Sequence, residues 1–246
     1  MLLALLVACR LARKEAKKKN YELYQIDTFI FLAITGGMVG ARLYYVLFNL
    51  SYYLENPYRI MQVWKGGLAI HGGLIGGLLA AIWFCWRKKL KFWRLVDTFT
   101  PALILGQAVG RVACFLNGDA YGKPTNLPWG VTFTHPLSFA PRNISLHPTQ
   151  LYQLAWNLLV LGLIYSFRRR VKYEGELFLI YAILYSLGRF FIESLRGDQL
   201  VFNFFALTIS TARSMSVLTI VSVLIFHFIL RKRKQIISFE NWEEKG

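Results

Sequence analysis

The sequence predicts an all-α, multi-pass transmembrane helical bundle. It has about seven membrane helices, an outside N-terminus and a cytoplasmic C-terminus. Two observations predict this architecture: long apolar runs, and basic clusters that fall at alternate ends of them. A third, charge retained inside those runs, predicts what the bundle handles. Of the 246 residues, 55% are hydrophobic and only 17% charged, and the mean hydropathy is +0.40.

Spanning ~30 Å of hydrocarbon takes about 20 apolar residues in a helix. Gly66–Trp86 and Pro148–Phe167 are runs of 21 and 20 residues free of Asp, Glu, Lys and Arg. Ser214–Leu230 is slightly shorter. Thr28–Asn49, Leu95–Leu116 and Leu177–Glu193 also reach the required length, each interrupted by one or two charges near an end. Met1–Cys9 is a short apolar run before the first basic cluster. It is too short to span alone and lacks a signal-peptide cleavage pattern, so the expectation is a truncated-looking first segment: either the true start lies upstream of Met1, or the segment spans with help from its neighbours.

The net charge of +16 is unevenly placed. Basic clusters follow the first run (Arg10 to Lys19), Trp86 (Arg87 to Arg94), Phe167 (Arg168 to Lys172) and Leu230 (Arg231 to Lys234). The intervening loops are poor in Lys and Arg. This alternation orients the chain, because positive loops stay inside. Clusters at membrane ends are matched by anionic lipid of the bilayer, so no nucleic acid partner is expected. One integral membrane domain, 1–246, is expected, with a single long outer-face loop, 117–147, containing Pro124, Pro128, Pro136 and Pro141. Loops of that length are usually functional.

Orientation converts sequence into depth. Arg42, Arg111 and Arg189 fall in the outer parts of three different predicted segments, with His71 at matching depth on a fourth. Each charge inside a segment costs roughly 2.5–3.5 kcal/mol on insertion scales. Arginine offers a planar fork of donors suited to phosphate. Helical spacing places Gln107, Arg111 and Cys114 on one face, and Tyr185, Arg189, Glu193 and Arg196 on another. The reading is a cationic cavity toward the outer leaflet that takes the phosphate of a lipid, in an enzyme or a carrier.

Each feature has a plainer alternative. A single arginine near a helix end snorkels to headgroups. Glu193 pairs structurally with Arg189 or Arg196. The glycines of His71–Gly77 serve close helix packing, as small-xxx-small pairs do. His147-Pro148 starts a helix. Cys9, Cys85 and Cys114 show neither metal spacing nor a disulfide framework. No metal and no cofactor is expected.

Five stretches carry a family resemblance: ARLYYVLF (Ala41–Phe48), GGLAIHGGLIGG (Gly66–Gly77), GQAVGRVACFLNGDAYGKPT (Gly106–Thr125), HPTQLYQ (His147–Gln153) and GRFFIESLRGD (Gly188–Asp198). In this order they resemble the prolipoprotein diacylglyceryl transferases, seven-helix enzymes of the bacterial inner membrane. The resemblance implies transfer of the diacylglyceryl group of phosphatidylglycerol to the lipobox cysteine thiol of a preprolipoprotein signal peptide. A thioether forms and glycerol phosphate leaves, the first step of bacterial lipoprotein maturation. The nucleophile belongs to the substrate, so a catalytic cysteine is not required.

Position by position, the family's essential arginines fall on Arg111 and Arg189, its functional tyrosine on Tyr185 and its histidine on His71. Arg111 and Arg189 are expected to hold phosphatidylglycerol and stabilise the leaving phosphate, and His71 to act as base or proton relay. Arg42, Gln107 and Gly122 complete the phosphatidylglycerol-binding set. The departures are Cys114 where Asn is commonest, Asp119 and Gln153 where Glu is usual, and the missing counterpart of a tyrosine in the family's first helix. The alternative is a catalytically inactive phospholipid-binding or lipid-moving protein of the same fold. A small-anion transporter is less well supported, because no internal repeat is visible.

Overall fold

A computed structural model describes residues 2–199, 201–204 and 207–232, with side chains described over 2–199 and 210–228. The basic cluster at 231–234 lies outside the described side chains, and Met1 outside the described residues.

The chain is helical, as expected: α1 Leu2–Lys18, α2 Leu23–Phe48, α3 Leu50–Glu55, α4 Ile70–Lys88, α5 Phe92–Asn117, α6 Thr149–Phe167, α7 Glu176–Glu193 and α8 Thr211–Lys232. Two 3₁₀ turns, Pro57–Met61 and Val63–Lys65, link α3 to α4. Short strands β1 Val131–Thr132 and β2 Ser145–Leu146 pair antiparallel within the α5–α6 loop. Strands β3 Val201–Phe204 and β4 Leu207–Ser210 form a hairpin before α8.

Among the described residues, four helices are long and apolar enough to cross a membrane: Leu23–Phe48, Ile70–Lys88, Phe92–Asn117 and, in α8, Thr211–Phe228. Two further predicted spans form helices of 19 and 18 residues, α6 and α7, that are apolar overall with polar side chains at particular positions. Helix α6 buries Gln150, Gln153 and Asn157, and α7 carries Glu176, Arg189 and Glu193. Of these polar side chains, Gln150, Gln153, Asn157 and Glu193 are buried against protein. Apolar side chains elsewhere point outward, including Phe31, Val39 and Leu47 on α2, Leu74, Leu79 and Trp86 on α4, and Leu218 and Leu224 on α8. Apolar exposure on this scale, in each unit, suits a lipid environment.

The described residues form two compact units, Arg13–Leu95 and a second one of Met1–Ala12 with the chain from Val96 onward. In the first, α2 packs along α4 through glycines. Gly36 and Gly40 on α2 face Gly72 and Gly76 on α4. A Cβ on Gly40 would strike the Gly72 carbonyl and lie 2.8 Å from the Gly76 Cα. A Cβ on Gly76 would strike the Gly36 carbonyl. The expected role of the His71–Gly77 glycines is therefore met: backbones touch where any side chain would hold them apart.

In the second unit α6 and α8 both pack against α7. Trp156 of α6 lies over Gly188 and donates to the Leu184 carbonyl at 2.9 Å. The first turn of α7 is capped from a distance. Its N-cap, Gly175, has φ 96° and no side chain to offer. The buried Asp97 carboxylate accepts the N–H of Gly175 at 2.7 Å and of Phe178 at 2.9 Å. Helix α7 is thus anchored ten residues before Tyr185 and fourteen before Arg189, counted from Gly175.

Candidate active site

Helices α5 and α7 supply the core of the site within the second unit. Gln107 of α5 approaches the Tyr181 side chain of α7, and its Oε1 is buried without a hydrogen-bond partner. Tyr181 stacks obliquely on Tyr185, with ring centroids 5.9 Å apart. One turn further, Arg189 is half-buried and its Nη2 lies 3.0 Å from Glu193 Oε2. Arg111 and Arg196 are both within electrostatic range of the Arg189 guanidinium.

Glu193 is 1% exposed and carries two cations. Besides Arg189, it meets Arg196 Nη1 at 3.5 Å through the same oxygen, Oε2. Neither contact has hydrogen-bond geometry, so both are close ion contacts. Its other oxygen accepts the Ser210 hydroxyl at 3.1 Å. Arg196 in turn forks onto Asp198, Nε to Oδ1 and Nη2 to Oδ2, both at 2.8 Å. Burial works against the Arg196 charge, but the bond and charge of Asp198, then Glu193, outweigh it and raise its pKa above the ordinary value. The structural pairing expected of Glu193 is realised with both arginines.

Arg111 is different. Among the described residues its guanidinium has no hydrogen bond and no ion pair, although it is only partly exposed. Three guanidiniums, Arg111, Arg189 and Arg196, stand against two carboxylates, Glu193 and Asp198. The local balance is one positive charge, on a side chain whose five donors are free.

Gly122 acts through its backbone. It forms a bridge with Arg196 and donates its N–H to the His147 carbonyl at 3.1 Å. Lys123 N–H reaches the Leu195 carbonyl at 2.7 Å, and Gly197 N–H the Tyr121 carbonyl at 3.0 Å. A Cβ on Gly122 would run into His147. Gly122 therefore stitches the long loop to the segment bearing Arg196. Thr149 and Gln150 fasten the same loop, donating to the Ala120 carbonyl at 2.6 Å and the Asp119 carbonyl at 2.7 Å.

His71 and Arg42 belong to the Arg13–Leu95 unit. His71 is exposed in the first turn of α4, its ring 6.2 Å from that of Tyr44. Arg42 is 6% exposed and saturated by backbone. Its Nε donates to Ile60 O at 2.9 Å, and Nη1 to Gly66 O at 2.7 Å and Gly67 O at 2.9 Å. Nη2 donates to Arg59 O at 2.5 Å and Gln62 O at 3.5 Å. The donors expected for lipid phosphate are turned onto the loop between α3 and α4.

Two residues gain importance that sequence reasoning left without a role in the site. Arg196 had a visible signal, its i, i+3 spacing from Glu193. Asp97 had one too, an acid inside an apolar run, which by default marks a function or a buried partner.

The family model for prolipoprotein diacylglyceryl transferase matches residues 1–229. A phosphatidylglycerol–prolipoprotein diacylglyceryl transferase of Acaryochloris marina is 42% identical over 204 residues, covering 80% of this chain and 74% of that protein. One from Clostridioides difficile is 37% identical over 235 residues, 96% of this chain and 90% of that protein. One from Thermotoga maritima is 40% identical over 242 residues, 96% and 80% respectively. With a family match over nearly its whole length and relatives of this identity and coverage, the chain belongs to the prolipoprotein diacylglyceryl transferase family.

Proposed function

We propose that this transferase moves the diacylglyceryl group of phosphatidylglycerol onto the lipobox cysteine of a preprolipoprotein. The cysteine sulfur, as thiolate, attacks the glyceryl carbon that bears the phosphate ester. The carbon–sulfur bond forms as the carbon–oxygen bond breaks, and glycerol phosphate departs with the electron pair. The thiol proton passes to a base, for which His71 is the candidate.

The observation that carries this reading is the unpartnered Arg111 guanidinium beside Arg189. A leaving phosphate gains charge as the carbon–oxygen bond breaks, and donors already in place stabilise that charge without reorganising. Glu193 holds Arg189 in position. Tyr185 and Gln107 line the approach, and Gly122 keeps the outer loop in register. Arg42 contributes by holding its loop.

The setting belongs to the same proposal. The chain is a single integral domain of about seven spans in the bacterial inner membrane, N-terminus out and C-terminus in, with its site toward the outer leaflet. Four apolar helices and the alternation of basic clusters support that arrangement.

The test uses purified protein in phosphatidylglycerol-containing micelles with a lipobox peptide, read by mass spectrometry. A diacylglyceryl adduct on the cysteine, lost in Arg111→Ala, is expected. Absence of the adduct from the wild-type chain would return the reading to a lipid-binding protein without catalysis.

A further inference from the structure

The loop that Arg42 gathers borders a half-open cavity of about 440 Å³ within the Arg13–Leu95 unit. Among the described residues, ten line it and none is acidic. Three are cations: Arg42, Arg59 and Lys65.

These cations differ in availability. All five N–H groups of Arg42 go to carbonyls, so it offers no donor to a ligand. Its charge, however, is buried and faces no carboxylate among those contacts; it is met by carbonyl dipoles and by the Tyr53 ring, 5.3 Å from its guanidinium carbon. An uncompensated cation in the cavity wall favours an anion inside. Arg59 donates Nε to Tyr58 OH at 3.2 Å and Nη1 to Tyr52 OH. Among the described residues its Nη2 and the Lys65 ammonium have no acceptor. Two open donor groups with a buried cation behind them match phosphate oxygens.

Hydrogen-bonding groups that suit hydroxyls line the same cavity. Asn49 spends its amide N–H on Tyr45 O at 2.9 Å, which leaves its oxygen to accept. Gln62 buries its Oε1 without a donor. The segment around the cavity also exposes Leu54, Met61 and Trp64, side chains that settle at a lipid interface.

We propose that this cavity is itself an anion site that binds the phosphate group of a hydroxylated phosphate ester through Arg59 and Lys65. Arg42 is its positioning residue and fixes the loop without touching the ligand. The ester could come from a phospholipid headgroup or from free glycerol phosphate.

The experiment uses the full chain in maltoside micelles. Native mass spectrometry counts retained phosphatidylglycerol, and calorimetry follows titration with glycerol phosphate. The double variant Arg59→Gln/Lys65→Gln leaves the Arg42 contacts intact, because those use the Arg59 carbonyl. Loss of one retained lipid identifies a headgroup site. An unchanged lipid count with at least roughly tenfold weaker glycerol phosphate binding, the effect of losing one charge-assisted hydrogen bond, identifies a site for the free ester. Unchanged lipid count and unchanged affinity overturn the proposal. Arg59→Lys/Lys65→Arg should restore binding. Should the double variant not fold, Lys65→Gln alone, at an exposed position without a protein partner, gives the same readouts.

Discussion

The carboxylate of Asp97, in α5, accepts the backbone N–H of Gly175 at the start of α7. It does for α7 what an N-cap side chain does for most helices, but from 78 residues away in sequence. It also places a negative charge at the positive end of the helix dipole. Asp97→Ala should destabilise the protein by about 2 kcal/mol or more, since two N–H groups lose a charged acceptor. Thermal unfolding in detergent checks this. Transfer activity should fall alongside stability, because Tyr185 and Arg189 ride on the same helix.

Arg111→Ala should behave in the opposite way. The side chain makes no hydrogen bond or ion pair among the described residues, so its removal should leave the unfolding temperature close to wild type. Transfer should drop by roughly 10²–10³, the loss typical of one donor to a developing negative charge. Arg111→Lys should recover part of it, keeping the charge but not the fork. A large stability loss in Arg111→Ala would show instead that its role is structural.

Glu193→Gln should damage both properties. The variant leaves Arg189 and Arg196 facing each other with one carboxylate, Asp198, between three guanidiniums. Breaking a buried ion pair by removing one partner costs about 3–5 kcal/mol. Chemical denaturation measures the loss. Restoring activity by a second change, Arg196→Gln, would show that repulsion rather than lost contact is the cause.

The glycine seam offers a position-by-position test. Gly40→Ala should prevent normal α2–α4 packing, because the added carbon meets backbone that cannot move aside. Gly73→Ala should be tolerated, since its Cβ would make ordinary contacts at 3.6 Å. Yield of folded protein and unfolding temperature distinguish the two.

Gly122→Ala should uncouple the outer loop from the Arg196 segment. Its Cβ would collide with His147, and the bridge to Arg196 would open. The expected result is a protein that still inserts, with transfer reduced at least tenfold and faster amide exchange over residues 121–123 and 195–197. The conservative comparison is Gly110→Ala, which meets nothing within 4 Å and should be silent.

Much of this protein was legible in one dimension. Apolar runs report helices directly, because a membrane helix satisfies its own backbone within one segment. Glu193 and its two arginines were legible for the same reason: spacings of three and four residues are neighbours on a helix. The glycine seam was visible as a repeat of small residues. What one dimension could not supply was the use of side chains that act across long separations. Arg42 looked like a phosphate ligand by its depth, and only the folded loop shows its five donors turned onto carbonyls of residues 59 to 67. Asp97 is an acid near the end of an apolar run, and only the fold brings Gly175 beside it. Helical periodicity is a local property of the chain, whereas a guanidinium or carboxylate commits its hydrogen bonds to whatever the packed structure brings within 3 Å. The sequence by itself determined which segments become helices and which charges enter them; tertiary structure decided which of those charges are spent on the fold and which, like Arg111, are left to meet a ligand.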